Sequence, residues 1–305
     1  MDGTTVTGTK DVGDFCLSHD NTESYYIKSY VPESCKTEAC ILGIDEAGRG
    51  PVLGPMVYSI CYCLKNKEEE LKLTGCADSK SLTEVKREVI FDKLCGLKDF
   101  VGWDTEVISP TVISNSMLRR QKISLNEISH NAAINLVKRA QESGVKVTDV
   151  FVDTVGPAGK YQAKLKDIFP ELNITVANKA DATYPIVSAA SIFAKVTRDI
   201  CLKVWKCPEF LEGTDINLGS GYPGDPDTKK FLEENIDPVF GFPQVVRFSW
   251  ATALKILEAK AAPIKWEDDE LPSGSKSIKS FFKKPEVKER HQFFRDRNLT
   301  NTTEL

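Results

Sequence analysis

No run of apolar residues in this chain is long enough to cross a bilayer, which argues against a helical membrane protein. The opening Met1-Asp2-Gly3-Thr4-Thr5-Val6-Thr7-Gly8-Thr9-Lys10 lacks the apolar segment of a secretory leader, so a cytosolic or nuclear protein is expected. Histidine is scarce: His19, His130 and His291 are scattered. The nine cysteines include no CxxC pair, so a structural zinc site of the usual spacing is not expected. Reduced thiols packed as small hydrophobes are expected instead, with Cys61 and Cys63 on one face of a strand. Positive charge is not in excess either. Lys and Arg number 40 against 44 Asp and Glu, a net charge of −4. Any polyanion would therefore have to be met by a local basic patch. Internal repeats are absent.

What is present is ordinary for a globular protein: 305 residues, 41% hydrophobic and 28% charged, enough for one large core or two domains. Residues 1–38 are polar and pattern-poor and are expected to form a loosely attached arm. Strands are expected over 39–45, 55–64, 100–109 (half-exposed, from its alternation), 149–153 and 173–177. Helices alternate with them. One opens at the capping box Ser81-Leu82-Thr83-Glu84, with Val85, Val89 and Leu94 inward; another opens at Ser124-Leu125-Asn126-Glu127 and closes at Gly144. Others run over 160–168 and from Pro185 to about Trp205, and Asp225 and Ser249 begin two more. This alternation predicts an α/β core over 39–205 and a helical portion over 206–262. From 263 to 305 the composition turns acidic, then linker-like, then lysine-rich, as in a tail.

The chemistry concentrates in Ile41-Leu42-Gly43-Ile44-Asp45-Glu46-Ala47-Gly48-Arg49-Gly50-Pro51. Two carboxylates end an apolar strand, and an arginine stands between two glycines. Asp153 ends the Val150-Phe151-Val152 strand, and Asp181 just precedes the Pro185 helix. If these ends converge, the four acids need a compensating cation, and paired divalent ions suit hydrolysis at phosphate. Acids in such places also serve as caps and turn formers. Asp45 and Glu46 can share one site only if the strand has ended or bulged there. Gly48-Arg49-Gly50 suits close approach to a sugar-phosphate, or is a plain tight turn. Lys80 precedes a helix, where phosphates bind well. Lys195, Arg198 and Lys203 can follow a phosphate backbone or form a solvated face. Tyr222, in Gly219-Ser220-Gly221-Tyr222-Pro223, can stack on a nucleotide or cover a core edge.

Together these pieces resemble the type 2 ribonuclease H family. The resemblance rests on Asp45-Glu46-Ala47-Gly48-Arg49-Gly50-Pro51, Ala77-Asp78-Ser79-Lys80-Ser81-Leu82, Val152-Asp153-Thr154-Val155-Gly156, Lys179-Ala180-Asp181, Ser188 to Asp199, and Gly219 to Pro223. Gly241 to Trp250 and Trp266-Glu267-Asp268 are similar to the eukaryotic catalytic subunit. The resemblance implies a ribonuclease H-like mixed sheet flanked by helices. It implies a metal-dependent endoribonuclease acting on RNA·DNA hybrids and 5′ of single ribonucleotides in duplex DNA, leaving 5′-phosphate and 3′-hydroxyl ends. Asp45, Glu46, Asp153 and Asp181 would hold two Mg²⁺ or Mn²⁺ ions. Gly48, Arg49 and Gly50 would meet the 2′-hydroxyl, Tyr222 the RNA–DNA junction, and Lys80, Lys195 and Arg198 the phosphates. Two non-catalytic subunits in a heterotrimer, nuclear residence and roles in replication and repair are implied as well. The Ile278, Phe281 and Phe282 segment resembles a sliding-clamp box with serine in place of the usual glutamine; docking of the tail on the partner subunits is preferred to a weak clamp contact. The rival readings are a DNA nuclease of the same fold and a non-catalytic nucleic-acid-binding subunit.

Overall fold

The computed structural model describes residues 4–76, 82–210, 216–263, 292–293 and 297. Lys80, the Ser81 cap and nearly all of the 263–305 tail, with its clamp-like segment, lie outside them. In chain order the elements are β1 (Thr4–Thr5), α1 (Thr9–Ser18), β2 (Tyr25–Lys28), α2 (Glu33–Thr37), β3 (Cys40–Ala47), β4 (Met56–Leu64), α3 (Glu68–Lys72), α4 (Glu84–Gly96) and β5 (Val101–Ile108). Then come α5 (Pro110–Leu118), α6 (Leu125–Glu142), β6 (Val147–Asp153), α7 (Ala158–Ile168), β7 (Asn173–Ala177), α8 (Ala180–Thr183) and α9 (Pro185–Lys203), followed by α10 (Pro226–Glu234) and α11 (Ala251–Lys260).

The strands form one mixed sheet in the order β1-β2-β5-β4-β3-β6-β7. β3 pairs antiparallel with β4 and parallel with β6, so the two strands that end in acids lie side by side. Alternation sorts each strand between two cores. Ile41, Ala47, Val57, Cys61 and Cys63 face the side packed by α1, α4 and α9. Leu42, Ile44, Tyr58 and Ile60 face α6 and α7. All nine cysteines are free thiols, and Cys61 and Cys63 share a face as expected. Helix α9 is buried on nearly all sides, from Pro185 to Cys201, because its apolar residues extend well beyond a single stripe.

Gly43 is where β3 and α9 meet most closely. A Cβ there would drive into the backbone of Ile186 and Val187, which cannot swing aside as a side chain would. Gly43→Ala is therefore expected to destabilise the chain by ~3 kcal/mol, read from chemical denaturation, although Ala suits a strand no worse than Gly.

Four expectations need correcting. Residues 4–38 are not a loose arm: β2 pairs antiparallel with β5, and Val12 and Cys16 of α1 are buried in the α9-side core. Polar outer faces hid these elements in the sequence. Helix α4 starts at Glu84 under a Thr83 cap, and its buried residues are Ile90, Phe91 and Leu94; Val85 and Val89 are exposed. Strand β5 is covered on both faces, not half-exposed, because helices pack against each side of the sheet. Finally, β3 neither ends nor bulges at its acids: Asp45 pairs with Ser59, Glu46 with Tyr58 and Ala47 with Val57.

The C-terminal portion builds a smaller core from Phe231, Leu232, Phe242, Val245, Val246 and Ala253. Val52 and Leu53, which follow the glycine-arginine turn, are part of it. The turn is thereby clamped between the sheet and the C-terminal helices.

Candidate active site

Because β3 stays regular, Asp45 and Glu46 leave its end on opposite faces. Asp45 is buried on the α9 side, beside Ser191 and Lys195. Its Oδ1 accepts the Glu46 amide at 2.8 Å. Burial, above all, pushes its carboxyl up to about 7, the nearby Ser191 hydroxyl pulls it back, and the Asp153 charge pushes it further up. Glu46 lies on the other face beside Tyr58 and Arg49. Burial and the charges of Asp45 and Asp153 raise it to about 8, against the opposing pull of Arg49.

Asp153 ends β6, the parallel neighbour of β3. Its Oδ1 accepts the Ala180 amide at 2.8 Å, so it caps the short helix α8 whose first turn carries buried Asp181. Lys179, just before, is the one non-glycine among the described residues with positive φ, at 55°. That strained turn presents Asp181 next to the Asp153 cap. Adjacent strand ends bring Asp45, Glu46 and Asp153 within electrostatic reach of one another, but Glu46 leaves on the opposite face of β3, so the four acids are not gathered on one face. Among the described residues, no three His, Cys, Asp or Glu side chains stand as a ready-made metal cage. The donor set still fits a hard cation: it is all carboxylate oxygen, two of its members are pushed toward protonation by burial and mutual repulsion, and the buried Ser191 hydroxyl beside Asp45 has no hydrogen bond of normal geometry.

A cleft of about 410 Å³ opens beside these acids. Its walls gather Glu46, Gly48, Arg49, Gly50, Lys195, Arg198 and Tyr222 from distant parts of the chain; Asp45, Asp153 and Asp181 do not line it. Four cations, Arg49, Arg87, Lys195 and Arg198, stand there against Glu46 and Asp199. This is the local basic patch that a chain of net charge −4 needs in order to hold a polyanion. Lys203, by contrast, is paired with Glu84 and Glu88.

The turn at the centre is held by its carbonyls. Arg247, fully buried, donates to the oxygens of Gly48, Arg49 and Gly54 at 2.6, 3.2 and 2.9 Å. Trp250 Nε1 donates to Gly50 O at 3.0 Å. Among the described residues no hydrogen bond uses the amides of Gly48, Arg49 or Gly50. Gly48 has φ of 75°, and a Cβ there would run into Pro55 O and the Arg198 side chain. Tyr222, half-exposed, lies beside Gly50, with Cε1 only 3.4 Å from where a Cβ would be. The Gly221 carbonyl accepts the amides of Val52 and Leu53 at 2.8 and 3.2 Å, which ties the tyrosine loop to the turn. Arg198 donates to Ser220 O at 3.3 Å and pairs with Asp199, which also pairs with Arg87 at 3.1 Å.

Reading single residues missed Arg87, Asp199, Arg247 and Trp250 as parts of this site. For Arg247 a signal existed: a charge inside the apolar run Val245-Val246-Arg247-Phe248 marks a cation buried for a purpose. For Arg87, on an exposed helix start, there was none.

The family model described as Ribonuclease HII matches residues 42–253. A ribonuclease H2 protein of Bos taurus, named as one of that enzyme's subunits, is 52% identical over 294 residues, covering 95% of this chain and 98% of that protein. The solved ribonuclease H2 of Pyrococcus horikoshii is 34% identical and aligns with a TM-score of 0.61 over 72% of this chain and 98% of its own. An RNase HII of Archaeoglobus fulgidus, solved in complex with PCNA, is 28% identical, with a TM-score of 0.58 over 75% of this chain and 99% of its own.

Proposed function

This chain belongs to the ribonuclease HII family and is a ribonuclease H hydrolase, and from that premise we propose that it is the catalytic subunit of an endonuclease acting on RNA·DNA hybrids and 5′ of single ribonucleotides in duplex DNA. The observation that carries the reading is the cleft that runs from Glu46 over the glycine-arginine turn to Tyr222. It combines acid, backbone donors, cations and an aromatic ring within reach of one nucleotide and its flanking phosphates.

Asp45, Glu46, Asp153 and Asp181 would hold divalent cations, Mg²⁺ or Mn²⁺, two to a site. When bound, such ions supply an activated water and a counter-charge for the leaving 3′ oxygen. The chain's own residues do the selecting. With the turn's carbonyls engaged by Arg247 and Trp250, the amides of Gly48, Arg49 and Gly50 stay available to a 2′-hydroxyl, the group that separates RNA from DNA. Tyr222 stacks on the next sugar and favours an RNA-to-DNA junction. Lys195 and Arg198 meet phosphates, and Lys80 is added on its motif alone.

The bovine relative is named as one subunit of a larger enzyme, which supports assembly with non-catalytic partners; two are proposed, with the 263–305 tail as a docking segment. The archaeal relative's complex with PCNA lends weight to a weak clamp contact as a second role for that tail. Nuclear residence follows from a genomic substrate.

The test is a duplex carrying one ribonucleotide, incubated with the full chain and its partners in Mg²⁺ or in EDTA, beside the same duplex with that 2′-hydroxyl removed. Mg²⁺-dependent cutting 5′ of the ribonucleotide, lost with EDTA or on the all-deoxy duplex, is the expected result. Equal cutting of the all-deoxy duplex would instead make this a DNA nuclease, and no cutting at all a purely binding component.

A further inference from the structure

The first turns of α6 belong to neither acid-bearing strand, yet they touch the loops that follow both. Asn126 and His130 are four residues apart and so lie on one helix face, one above the other. Asn126 Oδ1 accepts from Arg49 Nη2, on the turn after Glu46. The same amide lies against Gly156, whose Cβ, if it had one, would come within 3.4 Å of Asn126 Nδ2. His130 Nε2 bonds the Val155 carbonyl at 3.2 Å, two residues past Asp153. Its ring stacks on Tyr161 of α7, with centroids 3.9 Å apart and planes at 11°. Burial holds this imidazole below its usual range, so at neutral pH it is uncharged and Nε2 carries the proton that the carbonyl accepts.

The helix behind this face is well anchored. Ser124 caps it by accepting the Glu127 amide, and Ala132, Ala133, Leu136 and Val137 are buried in the core shared with β3 and β6. A rigid element thus reaches across a gap that the sheet alone does not fix. Within the sheet, the β3–β6 pairing stops at Ile44 and Val152, one residue short of Asp45 and Asp153.

We infer that Asn126 and His130 are positioning residues that hold the loop after Glu46 and the loop after Asp153 at the separation the reaction requires. Neither residue touches substrate in this proposal. Asn126 acts through Arg49, and His130 acts through the Val155 carbonyl. The proposal rests on the ribonuclease reading for its reaction but not for its geometry. Its consequence is specific: the pair governs how well the separated carboxylates are held for a divalent cation, and only Asn126, through Arg49 of the cleft, also bears on substrate affinity.

The test compares Asn126→Ala, Asn126→Asp, His130→Ala and His130→Gln with the wild-type full chain. One readout is the Mg²⁺ concentration at the midpoint of the Mg²⁺-induced rise in melting temperature. The other is kcat and KM on a single-ribonucleotide duplex, with partner subunits present. Each Ala variant is expected to raise the Mg²⁺ midpoint by about 10- to 100-fold, the usual effect of losing a residue that orients a metal ligand. In each, kcat should fall in step; KM should change little in His130→Ala and rise in Asn126→Ala, which releases Arg49 of the cleft. Asp, which still accepts from Arg49, and Gln, whose amide can still reach the carbonyl, should recover most of the loss. Wild-type midpoints and kcat in folded Ala variants would overturn the inference. So would Asp and Gln variants as impaired as the Ala ones, since that pattern means general damage. A wild-type chain that responds to Mg²⁺ but cuts no ribonucleotide duplex would defeat the ribonuclease reading alone, and the midpoints would still decide the positioning.

Discussion

Asp45→Asn is expected to end hybrid cleavage and, without divalent cation, to raise the melting temperature of the chain. Both effects have one origin. Burial, with Asp153 nearby, lifts the Asp45 carboxyl to about 7, and Glu46 beside it to about 8. Between the ordinary carboxylate range and those values, the folded chain binds more protons than the unfolded one. Metal-free stability therefore falls as pH rises through that window, and is greatest below it. Asparagine keeps the shape, can still accept the Glu46 amide through Oδ1, and has no charge to bury. A gain of ~1–3 kcal/mol at pH 8 follows, fading toward pH 5, with the melting temperature rising by a few degrees. Mg²⁺ should stabilise the wild-type chain at pH 8 and the variant much less.

Turnover should drop by ~10³-fold or more, since losing a ligand forfeits the several kcal/mol of charge stabilisation a bound cation supplies. Duplex binding should persist, because Arg49, Lys195 and Arg198 are untouched. Thermal melts across pH, with and without Mg²⁺, and single-turnover cleavage measure both halves. Wild-type turnover in the variant would refute the ligand role, and an unaltered pH dependence of melting would refute the buried repulsion.

Arg247→Met is expected to cost stability and activity together. The arginine is fully buried, its guanidinium lies over the Trp250 ring at 4.8 Å, and its donors satisfy three carbonyls. Burial and the nearby Arg198 lower its pKa to about 9, which leaves it charged at neutral pH. Methionine fills much of the volume but strands the oxygens of Gly48, Arg49 and Gly54. Unsatisfied buried acceptors cost about 1–3 kcal/mol each, partly relieved by relaxation, so a net loss of ~3–5 kcal/mol is expected. In a chain of this size that lowers the melting temperature by roughly 10 °C. Relaxation has its own penalty, because the turn can then spend its amides on itself. Cleavage measured well below the melting point should therefore also fall. Lysine should not rescue, since it cannot reproduce the three-way fork. A variant that is less stable but fully active when folded would show that Arg247 supports the fold and not the turn.

Much of this was legible in the sequence because the central elements are locally consistent. β7 lies where expected, at Asn173–Ala177, and α9 starts at Pro185. Ser124 caps α6 and Gly144, with φ of 86°, closes it. The cleft residues carry motifs whose order survives folding. What was not legible depends on long-range partners. The β2 residues Tyr25-Tyr26-Ile27-Lys28 mean little until they meet β5. The burial of β5 depends on helices far away in sequence. Of the expected stripe Val85, Val89 and Leu94, the core takes only Leu94, and adds Ile90 and Phe91 from its side of the helix. That Asp45 and Glu46 face opposite ways needed the observation that β3 pairs through Ala47 without a bulge.

The close seating of Ile186 and Val187 on Gly43 bears on how the polypeptide matures during translation. Strands carrying three of the acids emerge from the ribosome before the helix that roofs one side of them. Without that late segment the α9 side of β3, where Asp45 is buried in the folded chain, has no cover. A chain ending before Pro185 would carry all four acids in its sequence and yet lack the helix that buries one side of β3.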